Sequence, residues 1–317
     1  MKRALVTGAA GFIGSHLCEA LLGDGHSVVG MDSFTAHYAR PLKEANVSAA
    51  RGHERFTLVE ADLCDDGLAE LVAGCDWVFH LAARPGVRDS WDDFDDYVHS
   101  NIVGTKALLD ACVGQGARLV YASSSSVYGN ADRLPVDETT VLRPISPYGS
   151  SKVMTEAMAG AYAASSGVEV VGLRYFTVYG PRQRPDMGVS RFIDAATEGR
   201  EINVYGDGRQ LRDFTYVGDI VAATIAAAEH GTAGGVYNVA SGRPLPLLDV
   251  LDTLGDVMGL ELALRFDETQ RGDVRDTHAS IERASAELGY VPATELRDGL
   301  AQQVAEAGRR RQATAAA

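Results

Sequence analysis

The chain has 317 residues, of which 46% are apolar, and a formal net charge of −14 at pH 7. This length suits one large domain or two modest ones, and the acidic balance argues against nucleic acid or an anionic membrane surface as a partner. No stretch resembles a signal peptide or approaches the roughly 20 apolar residues of a membrane span. The four cysteines include no CxxC pair, so we expect reduced thiols in a cytoplasmic protein.

Apolar strands alternate with periodic helices through the first half of the chain. Strands are predicted near 3–7, 27–31, 56–59, 77–81, 117–121 and 168–173, and helices near 12–22, 97–113 and 148–164. The segment between Asp32 and Phe56 is interpreted as a polar insertion. The alternation predicts βαβ units, right-handed crossovers and a parallel sheet. The fold class is therefore α/β, a Rossmann doubly wound parallel sheet with a smaller C-terminal α/β lobe that binds the substrate.

The alternation stops after Arg174. The stretch from Tyr175 to Phe192 is rich in Arg, Pro and aromatic residues and has no long periodic element. Strands near 202–205 and 236–239 and helices near 219–229, 247–258, 281–288 and 295–307 complete the chain. We place the boundary between a first domain, 1–175, and a second lobe, 176–317, near Tyr175. As an alternative for part of the second lobe, segments near 213–240 return to the first sheet.

Gly8, Gly11 and Gly14 directly follow the first strand and open the first helix. Glycine permits a tight turn and a close approach of the backbone to a pyrophosphate, which rests on the helix N-terminus. Asp32 ends the second strand about 20 residues later, where a carboxylate accepts hydrogen bonds from ribose hydroxyls and repels a 2′-phosphate. No arginine follows at once, which favours NAD over NADP as the cofactor. The alternatives are a glycine turn that packs without a ligand and a turn-capping aspartate.

Tyr148 and Lys152 follow Ser146, a favourable helix N-cap, and are spaced to share one helix face. A serine run over 123–126 ends the preceding strand, so hydroxyl, phenol and ammonium should converge at the carboxyl edge of the sheet. A phenolate at neutral pH needs a pKa shift of about 3 units, or roughly 4 kcal/mol. A helix N-terminus supplies only about 0.3–1 kcal/mol. Lys152 and an oxidised nicotinamide ring must supply the rest. The phenolate could then take a proton from a sugar hydroxyl as hydride leaves the same carbon.

These motifs, together with HLAA, SSSSVYG, LRYFTVYGPRQRPDM, VYGDGRQLRDFTYVGDI and RGDV, resemble the extended short-chain dehydrogenase/reductase family in its nucleotide-sugar epimerase/dehydratase branch. The resemblance covers nearly the whole chain and implies NAD in the first domain and a UDP-sugar in the second. It implies the catalytic set Ser124, Tyr148 and Lys152, of which the last two also contact the cofactor. Besides the glycines and Asp32, the implied cofactor positions are Phe12, Ile13, Asp62, Leu63, Leu81, Ala82, Ala83, Asn101 and Tyr175. The implied substrate positions are Arg88, Ser125, Ser126, Thr177, Arg184, Val189, Phe192, Val204, Tyr205, Arg212, Arg271 and Asp273.

The three serines before Val127 indicate which reaction to expect. The 4,6-dehydratases of this branch carry Thr-Asp-Glu there, and the decarboxylases carry a glutamate at the last position. Ser124-Ser125-Ser126 lacks these acid–base groups, so epimerisation at C4 fits better. A dehydratase, a reductase that releases its cofactor and a non-catalytic dinucleotide sensor are the competing functions.

Arg184 is the candidate partner for a C6 carboxylate, because a guanidinium matches a carboxylate bidentately. This segment and Gly86-Val87-Arg88 are similar to UDP-glucuronate 4-epimerases, which predicts conversion of UDP-glucuronate to UDP-galacturonate. Arg184 could instead be solvated or bind the diphosphate, and the small Thr277 leaves room for an N-acetyl group as well. UDP-glucose/UDP-galactose or N-acetyl 4-epimerase activity is thus the alternative.

Three further expectations concern partners. Arg271 replaces a proline that is common in the family, so Arg275 is a second candidate for the diphosphate contact. Helices near 102–113 and 153–162 carry small and apolar residues on several faces, which predicts a homodimer contact, with packing on the sheet as the alternative. No His, Cys and carboxylate cluster at ligand spacing is evident, so no metal is expected.

Overall fold

The computed structural model of the chain describes residues 1–315. The strands are β1 Arg3–Thr7, β2 Ser27–Asp32, β3 Phe56–Glu60, β4 Trp77–His80, β5 Arg118–Ser124, β6 Val170–Tyr175, β7 Val178–Tyr179, β8 Ile202–Tyr205, β9 Leu211–Arg212, β10 Thr215–Tyr216, β11 Val236–Val239, β12 Leu245–Pro246 and β13 Leu264–Asp267. The helices are α1 Phe12–Gly23, α2 Arg40–Arg51, α3 Leu68–Val72, α4 Phe94–Tyr97, α5 Gly104–Cys112, α6 Pro147–Ser166, α7 Gly188–Thr197, α8 Val217–His230, α9 Leu247–Met258, α10 Glu282–Leu288 and α11 Leu296–Ala315.

A seven-stranded parallel sheet in the order β11-β6-β5-β4-β1-β2-β3 forms the centre of the molecule, which confirms the predicted Rossmann fold. The chain order reverses between β1 and β4, and α/β sheets bind ligands outside the carboxyl ends of the strands at such a switch point. The seventh strand, β11, pairs with β6, so this part of the later chain returns to the first sheet. The boundary between the functional domains near Tyr175 stays a prediction.

Helices cover both faces of the sheet. Apolar residues of α1 and α8 pack on one face, and those of α3, α5 and α6 pack on the other. A sheet that is covered on both faces needs strands that are apolar throughout, as β1 is from Ala4 to Thr7, where every residue is buried. Among the described residues, no helix has the length and apolar character needed to cross a membrane.

One expectation about the elements was wrong. The supposed polar insertion after Asp32 contains α2, which buries Lys43, Asn46, Val47 and Ala50 on one face. This is helical spacing, but two of the four positions are polar, so the apolar periodicity was too weak to reveal it. The helical segment expected over 97–113 is present, and a π-helical stretch, Val98–Val103, joins α4 to α5 within it.

The second lobe packs α7, α9 and α11 around a core that includes Ile193, Leu254 and Leu300. Its first segment is anchored to α1 of the first domain. Arg182 pairs with Glu19 at 2.7 Å, and the His16 ring lies 2.9 Å from the carbonyl oxygen of Pro181. These contacts join the two lobes and leave a cleft above the carboxyl ends of β1, β4 and β5.

His80, the last residue of β4, is buried between two threonines. Its Nδ1 lies 2.9 Å from the Thr7 hydroxyl and its Nε2 lies 2.9 Å from the Thr105 hydroxyl. Thr105 donates its own hydrogen to the Asn101 carbonyl, so Nε2 must carry the proton and donate to Thr105. Burial lowers the pKa of this imidazole from 6.5 to about 3, with the Lys152 charge acting in the same direction.

We therefore expect His80 to contribute to acid sensitivity. Because its folded pKa is depressed, the unfolded chain binds the extra proton as pH falls below about 6.5, and stability decreases progressively until the pH reaches the folded pKa. Between pH 6.5 and 4.5 this site should cost about 2 kcal/mol of unfolding free energy. Urea denaturation across this range should show a shallower pH slope for His80→Asn than for the unmodified protein. His230→Asn, at an exposed histidine, should keep the original slope, and equal slopes for both variants would contradict the assignment.

Candidate functional site

A cleft of about 1360 Å³ lies above the carboxyl edge of the sheet and extends to the second lobe. Ligand sites for one drug-sized molecule span about 300–1,000 Å³, so this cleft has room for more than one such ligand. Most of the predicted site residues line it. They are Gly8, Gly11, Phe12, Ile13, Gly14, Asp32, Asp62, Leu63, Leu81, Ala82, Ala83, Arg88, Ser124, Ser125, Ser126, Tyr148, Lys152, Tyr175, Thr177, Arg184, Val189, Phe192, Tyr205, Arg212 and Asp273.

Three predicted site residues do not line the cleft. Val204 is fully buried and packs in a small core with Ile202 and Leu251, because β8 turns this side chain into the lobe. Arg271 lies over the Trp91 ring, with 3.5 Å from its guanidinium carbon to the ring centroid. Asn101 is buried behind the cleft wall. The expectation that these side chains contact ligand directly is therefore not supported by their placement.

Asn101 supports the wall instead. Its Oδ1 accepts the backbone N–H of Arg84 at 2.7 Å, and its Nδ2 donates to the Arg84 carbonyl at 3.0 Å and to Ser151 at 2.9 Å. The amide thus ties the loop after β4 to α6, one residue before Lys152. Of the two C-terminal candidates for the diphosphate contact, Arg275 is largely exposed beside Asp276, and neither lines the cleft, whereas Arg212 does.

The glycine turn between β1 and α1 is compact. Gly8 has a φ of +72°, and a Cβ at Gly14 would lie 2.1 Å from the Gly8 carbonyl oxygen. Gly11 occupies the N-cap of α1, and no side chain caps that helix. The N–H groups of the first turn are therefore available to an anion at the positive end of the helix.

Asp32 is fixed at the end of β2 by backbone donors. Its Oδ2 accepts from Ala10 N at 3.0 Å and its Oδ1 accepts from Phe34 N at 2.8 Å. Lys43 of α2 lies 3.5 Å from the same carboxylate, and both side chains are buried. Lys43 also lines the cleft, and it was missed because α2 was not predicted. Because the Asp32 carboxylate neutralises the Lys43 charge, the pair presents no free cation for a 2′-phosphate.

The start of α6 places the phenol and the ammonium together. Ser146 accepts the Gly149 N–H at 3.0 Å, which fixes Tyr148 in the first turn, and Lys152 follows one turn later. The Lys152 ammonium donates to the Ala122 carbonyl at 2.9 Å. Both side chains line the cleft beside the serine run, as predicted.

Burial opposes charge on both groups. It raises the pKa of the Tyr148 phenol, and a hydrogen bond with Ser124 and the charge of Arg184 offset part of that rise. It lowers the pKa of the Lys152 ammonium to about 8, against the opposing influence of Glu156. The phenolate form of Tyr148 at neutral pH therefore requires additional positive charge beside the ring.

Behind Lys152 lies a buried ion pair. Arg174 of β6 donates to the two carboxylate oxygens of Glu156 at 2.9 and 2.7 Å, and the Ser123 hydroxyl donates to the same carboxylate at 2.5 Å. Glu156 lies one turn after Lys152, so a buried carboxylate follows the buried ammonium along α6. Sequence reasoning missed this pair because its members are 18 residues apart and on different elements.

Comparison with known proteins identifies the architecture. Residues 4–240 match the NAD dependent epimerase/dehydratase family. The chain belongs to this family. This confirms the resemblance to extended short-chain dehydrogenases/reductases, and NAD is accordingly the cofactor of the enzyme.

Three relatives illustrate the range of the family. The chain is 42% identical over 307 residues to the uncharacterized UDP-glucose epimerase YtcB of Bacillus subtilis (strain 168), covering 96% of this chain and 97% of that one. It is 38% identical over 307 residues to a dTDP-glucose 4,6-dehydratase of Streptomyces griseus, covering 95% and 92%. The crystal structure of UDP-glucuronic acid 4-epimerase from Bacillus cereus in complex with UDP-glucuronic acid and NAD matches with a TM-score of 0.94 and 39% identity, covering 97% of this chain and 99% of that one.

The described residues fit the family's cofactor. The uncapped first turn of α1 suits the diphosphate, and Asp32 suits the ribose hydroxyls of the adenosine half. Asp62 and Leu63 line the same part of the cleft wall as His99. Oxidised nicotinamide is positively charged, so when bound it supplies the positive charge that the phenol of Tyr148 needs.

Asp62, Cys64 and His99 bring their donor atoms within 4.8 Å of one another, a grouping that sequence spacing did not reveal. Asp62 Oδ1 already accepts from the Cys64 backbone N–H at 3.0 Å and lies 3.2 Å from His99 Nε2. Asp62 and His99 also line the cleft that the cofactor is expected to fill. The group therefore lies at the wall of the cleft, where Asp62 already takes part in hydrogen bonds.

The glycine turn provides a direct test of the cofactor site. Gly14→Ala puts a Cβ against the backbone oxygen of Gly8, which cannot move aside as a flexible side chain would. We expect the unmodified protein to copurify with NAD, and this variant to lose the cofactor and to unfold at a lower temperature. The measurements are chromatography of the nucleotide released from the purified protein and a thermal melt.

Gly23→Ala is the matched control for that test. Gly23 lies in the same helix, and the methyl group that alanine adds there would meet no atom within 4 Å, so this variant should retain NAD. Stoichiometric NAD in Gly14→Ala would show that the turn does not hold the cofactor as described.

Proposed function

We propose that the enzyme inverts C4 of a UDP-hexose, and that its substrate pair is UDP-glucuronate and UDP-galacturonate. The observation that carries the proposal is the Tyr148–Lys152 pair facing a serine run in place of acid–base carboxylates, in a cleft that also contains Arg184. The relatives support an NAD-dependent UDP-sugar 4-epimerase, and the structure of one of them contains UDP-glucuronic acid with NAD.

The chain's own residues handle the proton of the reaction. The Tyr148 phenolate takes the proton from the sugar O4 as hydride leaves C4, and it returns that proton when hydride comes back to the opposite face. Bound NAD supplies the hydride acceptor and, in the second half, the hydride donor. The Ser124 hydroxyl, which bonds to the Tyr148 phenol, orients the reacting oxygen. Lys152 contributes a fixed positive charge, held by the Ala122 carbonyl.

The reaction requires the 4-keto sugar to turn over between the two hydride transfers. The UDP half must therefore be held firmly and the sugar loosely. Arg212 and Arg88 line the cleft as cationic candidates for the diphosphate end, and Arg88 pairs with Asp273 at 2.9 Å. Thr177, Val189 and Phe192 line the cleft at the second lobe and offer the sugar few hydrogen bonds.

Arg184 supports a uronate as the sugar. It lines the cleft, and its charge influences the Tyr148 phenol, so it lies at the reacting end. A carboxylate on C6 gives such a guanidinium an anionic partner, which the CH₂OH group of glucose does not. The alternative substrate pair is UDP-glucose and UDP-galactose, which is favoured by the name of the Bacillus subtilis relative.

One NMR time course tests the reaction and the sugar together. With UDP-glucuronate, UDP-glucose and UDP-N-acetylglucosamine offered separately and no added NAD, we expect the C4 epimer to appear fastest from UDP-glucuronate. Absorbance at the reduced-cofactor band should show no net change, in contrast to a reductase. Equal or faster conversion of UDP-glucose would exclude the uronate assignment, and a 4-keto-6-deoxy product would indicate dehydration.

Tyr148→Phe should abolish turnover and keep NAD bound.

We also propose a homodimer in the cytoplasm. Val103, Val113 and Met154 are apolar side chains with exposed fractions of 45, 43 and 47% on or beside the helices α5 and α6. Such a row on two neighbouring helices suits a contact with the same helices of a second copy. The free thiols, including the exposed Cys64, suit a reducing compartment.

Met154→Glu tests the homodimer. A charge at the centre of an apolar contact should convert a dimer into a monomer, as judged by size-exclusion chromatography with light scattering. Val291→Glu is the matched control, because Val291 is 74% exposed and lies on the second lobe, far along the chain from α5 and α6. A monomer in the unmodified protein, or a dimer that survives Met154→Glu, would reject this interface.

A further inference from the structure

Arg184 is not free in the cleft, because Asp186 holds one edge of its guanidinium. Arg184 Nε donates to Asp186 Oδ1 at 3.0 Å, and Nη2 donates to Oδ2 at 2.9 Å. The two residues are spaced i, i+2 around Pro185 in a turn that Met187 N closes on the Arg184 carbonyl at 3.1 Å. Proline fixes φ at the second position of such a turn, so the pair is held by the backbone as well as by its charges.

The pair leaves the other edge of the guanidinium unused. Within residues 1–312, whose side chains the structure describes, Nη1 of Arg184 donates no hydrogen bond to another protein group. A guanidinium has two edges that can each take a carboxylate bidentately. Asp186 occupies the Nε edge, and the edge formed by Nη1 and Nη2 remains for a ligand.

Asp186 is a stable anion in this position. Burial alone would raise its pKa, but the hydrogen bonds and charge of Arg184 lower it overall, and His37 acts in the same direction. His37 belongs to the loop after β2, and its Nε2 lies 3.9 Å from Asp186 Oδ2. Burial, Arg84 and Arg184 lower the pKa of His37, with Asp186 and Asp89 opposing, so this imidazole adds a positive charge beside Asp186 only at low pH, whereas Arg184 is charged throughout.

We propose that Asp186 is a positioning residue that orients Arg184 so that its free edge receives the C6 carboxylate of the substrate. This inference rests on the proposed uronate specificity and adds the residue that makes Arg184 selective. A second hypothesis gives Asp186 the opposite effect, as an internal carboxylate that the substrate must displace. The geometry favours positioning, because Asp186 binds the side edge, and the turn holds it there without blocking the end of the guanidinium.

The test measures KM and kcat of Asp186→Asn with UDP-glucuronate, together with the inhibition constant of UDP-glucose. An amide keeps the size but loses the bidentate charge pair, so Arg184 should lose its orientation. We expect KM for UDP-glucuronate to rise on the order of tenfold, because a misplaced binding group holds the substrate less tightly. The inhibition constant of UDP-glucose should change less than about twofold, because this sugar has no C6 carboxylate for Arg184 to bind. Arg184→Met should raise KM for UDP-glucuronate further and also leave UDP-glucose little changed.

Asp267→Asn is the matched control. Asp267 pairs with Arg265 at the same i, i+2 spacing, at 3.2 Å, on β13, and it does not line the cleft. Loss of the Asp267 charge should leave KM for UDP-glucuronate and the inhibition constant of UDP-glucose unchanged. Asp186→Glu is the second variant if the asparagine protein does not fold, and its KM should fall between those of the unmodified protein and Asp186→Asn, because the charge stays but the carboxylate is displaced.

The outcomes separate this proposal from the function on which it rests. An unmodified enzyme without turnover of UDP-glucuronate overturns both. Turnover of UDP-glucuronate with an unchanged or lower KM in Asp186→Asn overturns the positioning role alone, and a lower KM supports displacement. A rise confined to UDP-glucuronate, with NAD content and melting temperature retained, supports the positioning role.

Discussion

The candidate site of this protein depends on holding an ammonium charge in a position that is almost completely buried. Lys152 is 5% exposed, and burial, partly opposed by the charge of Glu156, brings its pKa down to about 8. The neighbouring Glu156 restrains that shift, and Arg174 neutralises Glu156 through a bidentate pair. The result is a buried sequence of positive, negative and positive charge with one net positive charge. Such networks add little stability for their own sake, but loss of a single partner leaves an uncompensated buried charge.

The residues of this network come from elements that are distant from one another in the sequence. Lys152 and Glu156 come from α6, Arg174 comes from β6, and Ala122 and Ser123 come from the end of β5. Parallel strands that end at one edge deliver these groups to one place without any local motif. The sheet and the start of α6 thus position these groups together, and Glu156, behind the cleft wall, acts on the pKa of Lys152.

Local chemistry made part of this site predictable from the sequence. The glycine turn, the Ser146 cap and the Tyr148–Lys152 spacing are short-range features, and the structure places them where they were expected. Contacts between distant elements were not predictable. Lys43 reaches Asp32 from α2, a helix whose buried face is half polar. Arg271 lies outside the cleft because its guanidinium packs on the Trp91 ring. Val204 was assigned to the cleft by its motif, but alternation along β8 decides which side of the strand a residue faces.

The relatives include an epimerase and a dehydratase at similar identity, so similarity alone does not choose between their reactions. The residues that face the sugar do. Expulsion of water from C5 and C6 needs an acid and a base in addition to Tyr148, and the positions that carry them in dehydratases are Ser125 and Ser126 here. Of the four carboxylates that the second lobe contributes to the cleft lining, Asp186 and Asp273 are each paired with an arginine that also lines it. The Arg184 pairing lowers the pKa of Asp186, so this carboxylate is poorly suited to removing a carbon-bound proton. With hydroxyls at the positions of the acid–base groups that elimination needs, the residues of the cleft favour the proposed return of hydride to C4 over dehydration.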